Sequence, residues 1–172
     1  MDKLTPAAQR FVLHWGEMGQ RWGINRTVAQ IHALLMISPR ALAADDICER
    51  LGVARSNVST SLKELQGWRL VSLVHVPGDR RDHFQTIADV WELFRVVAQE
   101  RKRREFDPTM AMLQQCLDEA DPLQDAALVT RVTDLKGFFT TVSAWYDQLF
   151  ALPNAMVVGV MKLGGRLTSL LK

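Results

Sequence analysis

The sequence predicts a mostly α-helical protein with a small β-hairpin, on three observations. Most of the chain repeats its apolar residues at spacings of three and four, the period of an amphipathic helix. Residues 70–76 and 83–87 break that period and read as two strands around a charged tip, Pro77-Gly78-Asp79-Arg80-Arg81-Asp82. Just before them, two short helices, 44–51 and 55–66, meet at the turn Gly52-Val53-Ala54.

Each element has a local reason. Residues 6–20 place Phe11, Trp15 and Met18 on one stripe, continued by Trp22, and Gly23 breaks the helix. Residues 27–37 turn Val28, Ile31, Leu34 and Leu35 inward. Ser38-Pro39 ends that helix, because the residue before a proline is pushed out of the helical region. The helix at 44–51 packs by Ile47 and Leu51, and Gly52 accepts a backbone angle that a side chain would resist. The helix at 55–66 buries Val58, Leu62 and Leu65 and stops at Gly67. Residues 89–105 carry Val90, Trp91, Phe94, Val97 and Ala98 on one side, and Pro108 ends or restarts the helix. Met110, Leu113 and Leu117 align over 110–120, and Asp121-Pro122 marks the next break. The longest helix, 125–151, runs Leu128, Val132, Leu135, Phe139, Val142, Tyr146 and Leu149 in a near-heptad seam. After Pro153, Met156, Val160, Leu163, Leu167 and Leu170 repeat the pattern.

Bulk composition narrows the function classes. The chain has 172 residues, 48% hydrophobic and 23% charged, the range of an ordinary globular protein. Its 21 basic and 19 acidic residues leave a net charge of only +2, so affinity for nucleic acid would have to come from where the charge sits. The cations Arg55, Lys63, Arg69, Arg80 and Arg81 fall between residues 53 and 85, whereas Asp118, Glu119, Asp121, Asp125, Asp134 and Asp147 lie downstream. Two cysteines, Cys48 and Cys116, make no disulfide framework. With no signal peptide and no apolar run of membrane-spanning length, a cytoplasmic protein is expected.

Taken in order, residues 43–87 read as a winged helix-turn-helix. The second helix shows Ser56, Asn57, Ser59, Thr60 and Lys63 to solvent, with Arg55 at its start. Small donors and acceptors with a few cations suit a helix lying in the major groove of DNA. At the wing tip, Arg80 or Arg81 would enter the narrow minor groove while Asp79 or Asp82 holds the other arginine's fork; His83 would help contact a phosphate. Set against this is a soluble turn whose charges compensate one another.

The same residues resemble a known family. Residues 11–19 and 25–35 look like the N-terminal region of GbsR/MarR-type bacterial transcriptional regulators. Leu51-Gly52-Val53-Ala54-Arg55-Ser56-Asn57-Val58-Ser59, Gly67-Trp68-Arg69-Leu70-Val71 and Val76-Pro77-Gly78-Asp79-Arg80-Arg81-Asp82-His83-Phe84 match more closely. The resemblance implies a dimeric winged-helix repressor whose DNA affinity responds to a small ligand; some members sense choline or related osmolyte precursors. Ala54 and Arg55 stand where the family often has serine and lysine. Ala43 and Ala44 stand where a capping serine or threonine is common.

The expected organisation is a DNA-binding region at 1–88 and a helical dimerisation and effector region at 89–172, with the N- and C-terminal helices joining a homodimer. Arg101-Lys102-Arg103-Arg104 either touches phosphates or is a solvated helix end. Phe138, Phe139, Trp145 and Tyr146, with Trp91 and Phe94, either form a box for a quaternary ammonium or are ordinary core and interface. His14, His32, His75 and His83 have no metal-ligand spacing with the cysteines, and there is no catalytic constellation, so neither metal, cofactor nor enzyme activity is expected. The expected partners are double-stranded DNA, a second copy of the chain and a small-molecule effector of unknown identity. The alternative is a winged helix that binds protein, which would show apolar anchors on its exposed face.

Overall fold

Among the described residues α2 (Arg26–Ile37) is the most deeply buried helix, because its sequence is apolar on nearly every side. The computed structural model describes residues 4–121 and 123–157, with Gly159 and Leu163. The chain divides into two units, Met1–Val96 and Val97–Lys172.

In the first unit, α1 (Pro6–Arg21) starts at the Thr5 cap, whose hydroxyl accepts from the Ala8 amide at 3.2 Å, and carries Pro6 in its first turn. It packs on α2 through Val12, Gly16 and Gly19. Of the expected stripe, Phe11, Trp15 and Met18 are half-buried, Phe11 stacks on Trp15 with centroids 5.5 Å apart, and Trp22 is 59% exposed. Glycines face α2 because the two helices approach too closely for side chains: a Cβ on Gly19 would collide with the Cβ of Ala29. Gly23, at φ +76°, ends the helix as expected. The Asn25 side chain caps α2, accepting from the Thr27 amide at 2.8 Å.

Strand β1 (Leu42–Ala43), helix α3 (Ala44–Leu51), helix α4 (Arg55–Gly67), strand β2 (Val71–His75) and strand β3 (Asp82–Thr86) complete the module. The expected hairpin is part of a three-stranded antiparallel sheet of order β1-β3-β2, with Phe84 opposite both Leu42 and Leu73. Two residues are too few for the period-2 signal that reveals a strand, so β1 is not visible in the sequence. Ile31, Leu34, Leu42, Ile47, Val58 and Leu65 are essentially inaccessible and form the core that joins these elements.

Helix α5 (Val90–Arg101) crosses the division. Asp89 caps it, accepting from the amides of Trp91 at 2.7 Å and Glu92 at 2.9 Å. Its buried positions are Leu93 and Ala98, whereas Val90, Trp91 and Phe94 of the expected face are exposed. The chain does not break at Pro108. A π turn, Lys102–Phe106, leads straight into α6 (Asp107–Glu119). Proline has no amide hydrogen and its ring collides with the carbonyl four residues back, and a wider turn relieves both. Helix α7 (Ala126–Ala151) packs on α6. Of its expected seam Val132 and Leu149 are buried, while Leu128 and Leu135 stay about half exposed. Ala98, Leu149, Phe150 and Val157 form the second unit's small core, backed by Tyr146 and Leu152. Of the expected last helix, Val160, Leu167 and Leu170 lie outside the described residues; Met156 and Leu163 are exposed. Among the described residues no helix is long and apolar enough to cross a membrane.

The tight seat of α1 makes Gly19→Ala destabilising, by about 1–3 kcal/mol in urea unfolding, since the new methyl can fit only by forcing α1 off α2. A change below the error of the measurement would mean that the helices separate freely. His32 is buried, with Nε2 3.1 Å from the Thr86 hydroxyl, which in turn donates to the Leu70 carbonyl at 2.8 Å. That hydroxyl has one proton and spends it on Leu70, so His32 donates through Nε2–H. Burial lowers its pKa from 6.5 to about 4. The unfolded chain therefore takes up a proton more readily. Stability from the neutral ring is complete above pH 6.5 and is lost as pH falls toward 4, by about 2 kcal/mol at pH 5. Unfolding of wild type and His32→Gln at pH 7 and pH 5 should show that difference; equal losses in both would refute it.

Candidate nucleic-acid interface

The helix-turn-helix is built by backbone before side chains. Gly52 takes the left-handed conformation at φ 64°, and the Val53 amide bonds the Cys48 carbonyl at 3.2 Å, which ends α3 and turns the chain into α4. Val58, Leu62 and Leu65 of α4 are buried, leaving its opposite face outward. On that face Arg55, Ser56, Asn57, Thr60 and Lys63 are exposed and Ser59 is half-buried. Ala54 supplies no side-chain cap, so the first-turn amides of α4 are not held by one. Ala43 likewise gives α3 no side-chain cap, as its sequence suggested.

The end of α4 differs from expectation. Gly67 is still helical, and Arg69 takes the left-handed position at φ 58°. The Leu70 amide bonds Leu65 O at 3.0 Å and the Arg69 amide bonds Gln66 O at 2.9 Å, the Schellman pattern. Buried Leu70 follows, and this stop directs the chain into β2 and the wing.

At the wing tip the two arginines differ. Arg81 is held. Its Nε donates to both Asp79 oxygens at 3.1 and 3.0 Å, its Nη2 to Asp79 at 2.6 Å, and its Nη1 to Asp46 of α3 at 3.2 Å. Hydrogen bonds from Arg81 hold the Asp79 carboxyl down at about 2, and Asp79 in turn raises the guanidinium above its ordinary value. Arg80 is exposed and, like Lys63 and Arg69, has no carboxylate partner among the described residues. Arg55, expected on DNA, pairs with Asp45.

His83, expected at the surface beside a phosphate, is covered. Its ring is buried, with Nδ1 2.8 Å from the Arg81 carbonyl and Nε2 3.4 Å from Asp79. A carbonyl only accepts, so Nδ1 carries the hydrogen and the ring braces the tip from inside. Sequence reasoning also missed Asp45 and Asp46. No local pattern marks them, because their partners lie ten and 35 residues away. Between α4 and the wing lies a crevice of about 350 Å³, lined in part by Ser59, Lys63, Gln66, Leu73 and Arg81.

The basic run is self-neutralised. Arg101 pairs with Glu105, Lys102 with Asp107 and Asp147, and Arg103 and Arg104 with Glu100. That favours the helix-end reading over phosphate contact. The four aromatics of α7 do not converge on one space: Phe139 meets Phe106 edge-on at 5.3 Å and Tyr146 meets Phe150 at 4.5 Å, while Phe138 and Trp145 face solvent. Among the described residues no cluster of ligating side chains could hold a metal ion.

A polar reading helix beside a hairpin wing is the arrangement of a winged helix-turn-helix DNA-binding protein. Residues 22–82 match the model of the MarR family, so the module is a MarR-type winged helix, that of DNA-binding transcriptional regulators. A crystal structure of a transcriptional regulator is similar at a TM-score of 0.58 and 18% identity, over 83% of this chain and 99% of that one. A structure of Bordetella bronchiseptica BpsR, whose DNA binding is regulated by 6-hydroxynicotinic acid, is similar at a TM-score of 0.36 and 13% identity, over 75% of this chain and 95% of that one. No curated protein matches the chain.

Proposed function

We propose that the protein is a sequence-specific transcriptional repressor that binds double-stranded DNA as a homodimer. Residues 55–66 lie in the major groove and the wing, 77–83, in the minor groove. The observation that carries this is the outward face of α4: Ser56, Asn57, Thr60 and Lys63 are all exposed and polar, beside an Arg80 with no carboxylate partner among the described residues. A protein-docking face would instead present large apolar anchors at its centre. Asn57 is suited to a bidentate contact with adenine, and Ser56 and Thr60 to either base class. Lys63 serves a base or a phosphate. Arg55 reaches a phosphate by exchanging Asp45 for it.

The repressor role, the homodimer and a response to a small ligand are what the family likeness of the sequence implies. Exposed apolar residues support a second copy: Leu13 and Trp22 at α1, and Phe138 and Trp145 on α7. Two-fold pairing would present two reading helices to half-sites about 34 Å apart. A repressor of this kind works in the compartment that holds its DNA, here the cytoplasm, and needs no cofactor or catalytic step.

Selection of bound sequences from a random duplex pool, followed by titration, tests the proposal. Asn57→Ala should relax the preference at one base position per half-site and weaken binding by about 1–3 kcal/mol. Arg80→Ala should reduce the log–log salt slope by roughly 0.9 for each phosphate that Arg80 neutralises, with the larger drop in affinity on A/T-rich flanks. A wild-type protein that selects no sequence, or an Asn57→Ala variant with unchanged consensus and affinity, would refute direct readout by α4.

A further inference from the structure

Two consecutive carboxylates of α3 each hold one arginine of the reading surface. Asp45 pairs with Arg55, the first residue of α4, and Asp46 accepts from Arg81 of the wing at 3.2 Å. The two pairs sit in different surroundings. Arg55 and Asp45 side chains are 59% and 64% exposed, where an ion pair contributes little. The Asp46 side chain is only 12% exposed, and a carboxylate so far from water is costly unless it is paired. Arg81 cannot swing away without stranding that charge.

The same guanidinium grips Asp79 with Nε and Nη2, while the Arg81 amide donates to Asp79 at 2.9 Å. One side chain therefore spans from the wing tip to α3, and α3 packs directly against α4. His83 closes the tip from inside through the Arg81 carbonyl. The turn at Gly78 (φ +84°) is closed by one backbone hydrogen bond, from the Asp79 amide to the Val76 carbonyl at 3.0 Å, and Gly78 has no side chain to add to it.

We infer that Asp46 is a positioning residue of the DNA interface: through Arg81 it sets the wing's spacing from α4, leaving Arg80 as the cation offered to the minor groove. This rests on the DNA-reading function proposed above. A helix in one groove and a wing in the next must meet a single duplex at once. Holding both on one frame removes the ordering that binding would otherwise require. Phosphate contacts tolerate a displaced cation better than insertion into a narrow groove does, so selectivity for A/T-rich flanks is the first property a loose wing loses.

Asp46→Asn and Asp45→Asn remove the same charge from neighbouring residues, so any general gain in attraction for DNA is common to both. Amide hydrogen exchange of the free protein and titration on A/T-flanked and G/C-flanked duplexes separate them. Asp46→Asn should speed exchange at residues 79–83 by about tenfold and lose roughly tenfold in preference for A/T flanks, while Asp45→Asn leaves both near wild type. Arg81→Gln breaks the Asp79 fork as well as the Asp46 bond, so it should lose at least as much flank preference as Asp46→Asn, and adding Asp46→Asn to it should cost little more. If Asp46→Asn does not fold, Arg81→Lys serves instead: it keeps the charge, removes the fork, and should speed the same amides. Asp46→Asn matching Asp45→Asn in exchange and flank preference overturns the inference. Should Arg80→Ala weaken binding on A/T flanks while Asp46→Asn does not, the positioning role alone falls. Should no variant alter binding to any duplex, the DNA-reading function falls and this role with it.

Discussion

Helix α2 is the post on which the reading surface stands, and what holds it is burial of apolar surface. Ile31, Ala33 and Leu34 are wholly inaccessible, and α1, α3, α4 and β3 all pack against this one helix. Each fully buried leucine, isoleucine or valine contributes about 1.5–3 kcal/mol. The close approach of α1 belongs to the same constraint, since glycines at 16 and 19 let its backbone lie on Ala29 and Gln30. Were α2 to shift, the buried face of α4 would shift with it, and Ser56, Asn57, Thr60 and Lys63 would point elsewhere. The polar face can meet DNA in one orientation only because the apolar face has a single place to go.

Electrostatics refines what burial arranges. The interface has few cations, and the structure does not use them alike. Arg55 and Arg81 are tied to carboxylates of α3, whereas Lys63, Arg69 and Arg80 are left for a polyanion. The run 101–104 is the densest charge in the sequence, yet Glu100, Glu105, Asp107 and Asp147 answer it residue by residue. Local charge density was therefore a poor guide to attraction. A cation is available to a phosphate only when its own fold has not already paired it.

Helix types, most boundaries and the outward face of α4 were legible in the sequence, because each depends on neighbours within a few residues. Amphipathic period, the Ser38-Pro39 stop and the glycine turn at 52 are local properties, and the chain obeys them. Where the expectation failed, a distant contact outweighed the local preference. The glycines of α1, rather than a large apolar side chain, make its closest approach to α2, because backbone contact there leaves no room for a Cβ. Pro108 breaks the helical hydrogen-bond pattern and still leaves the chain helical, through a wider turn.

For the wing, the sequence by itself determined that a charged tip with two adjacent arginines follows a reading helix. It left open which arginine is free and assigned His83 to the surface. Only the tertiary structure decided these points. Asp79 is close enough in sequence to suggest a fork, but Asp46 reaches Arg81 only because packing of α3 against the sheet closes a gap of 35 residues. His83 is covered because β3 is flanked on both sides, by β1 and β2, and its ring is held by the Arg81 carbonyl and beside Asp79. Side-chain type and period are written in the chain; the pairing of charges depends on distances that exist only after the core has formed.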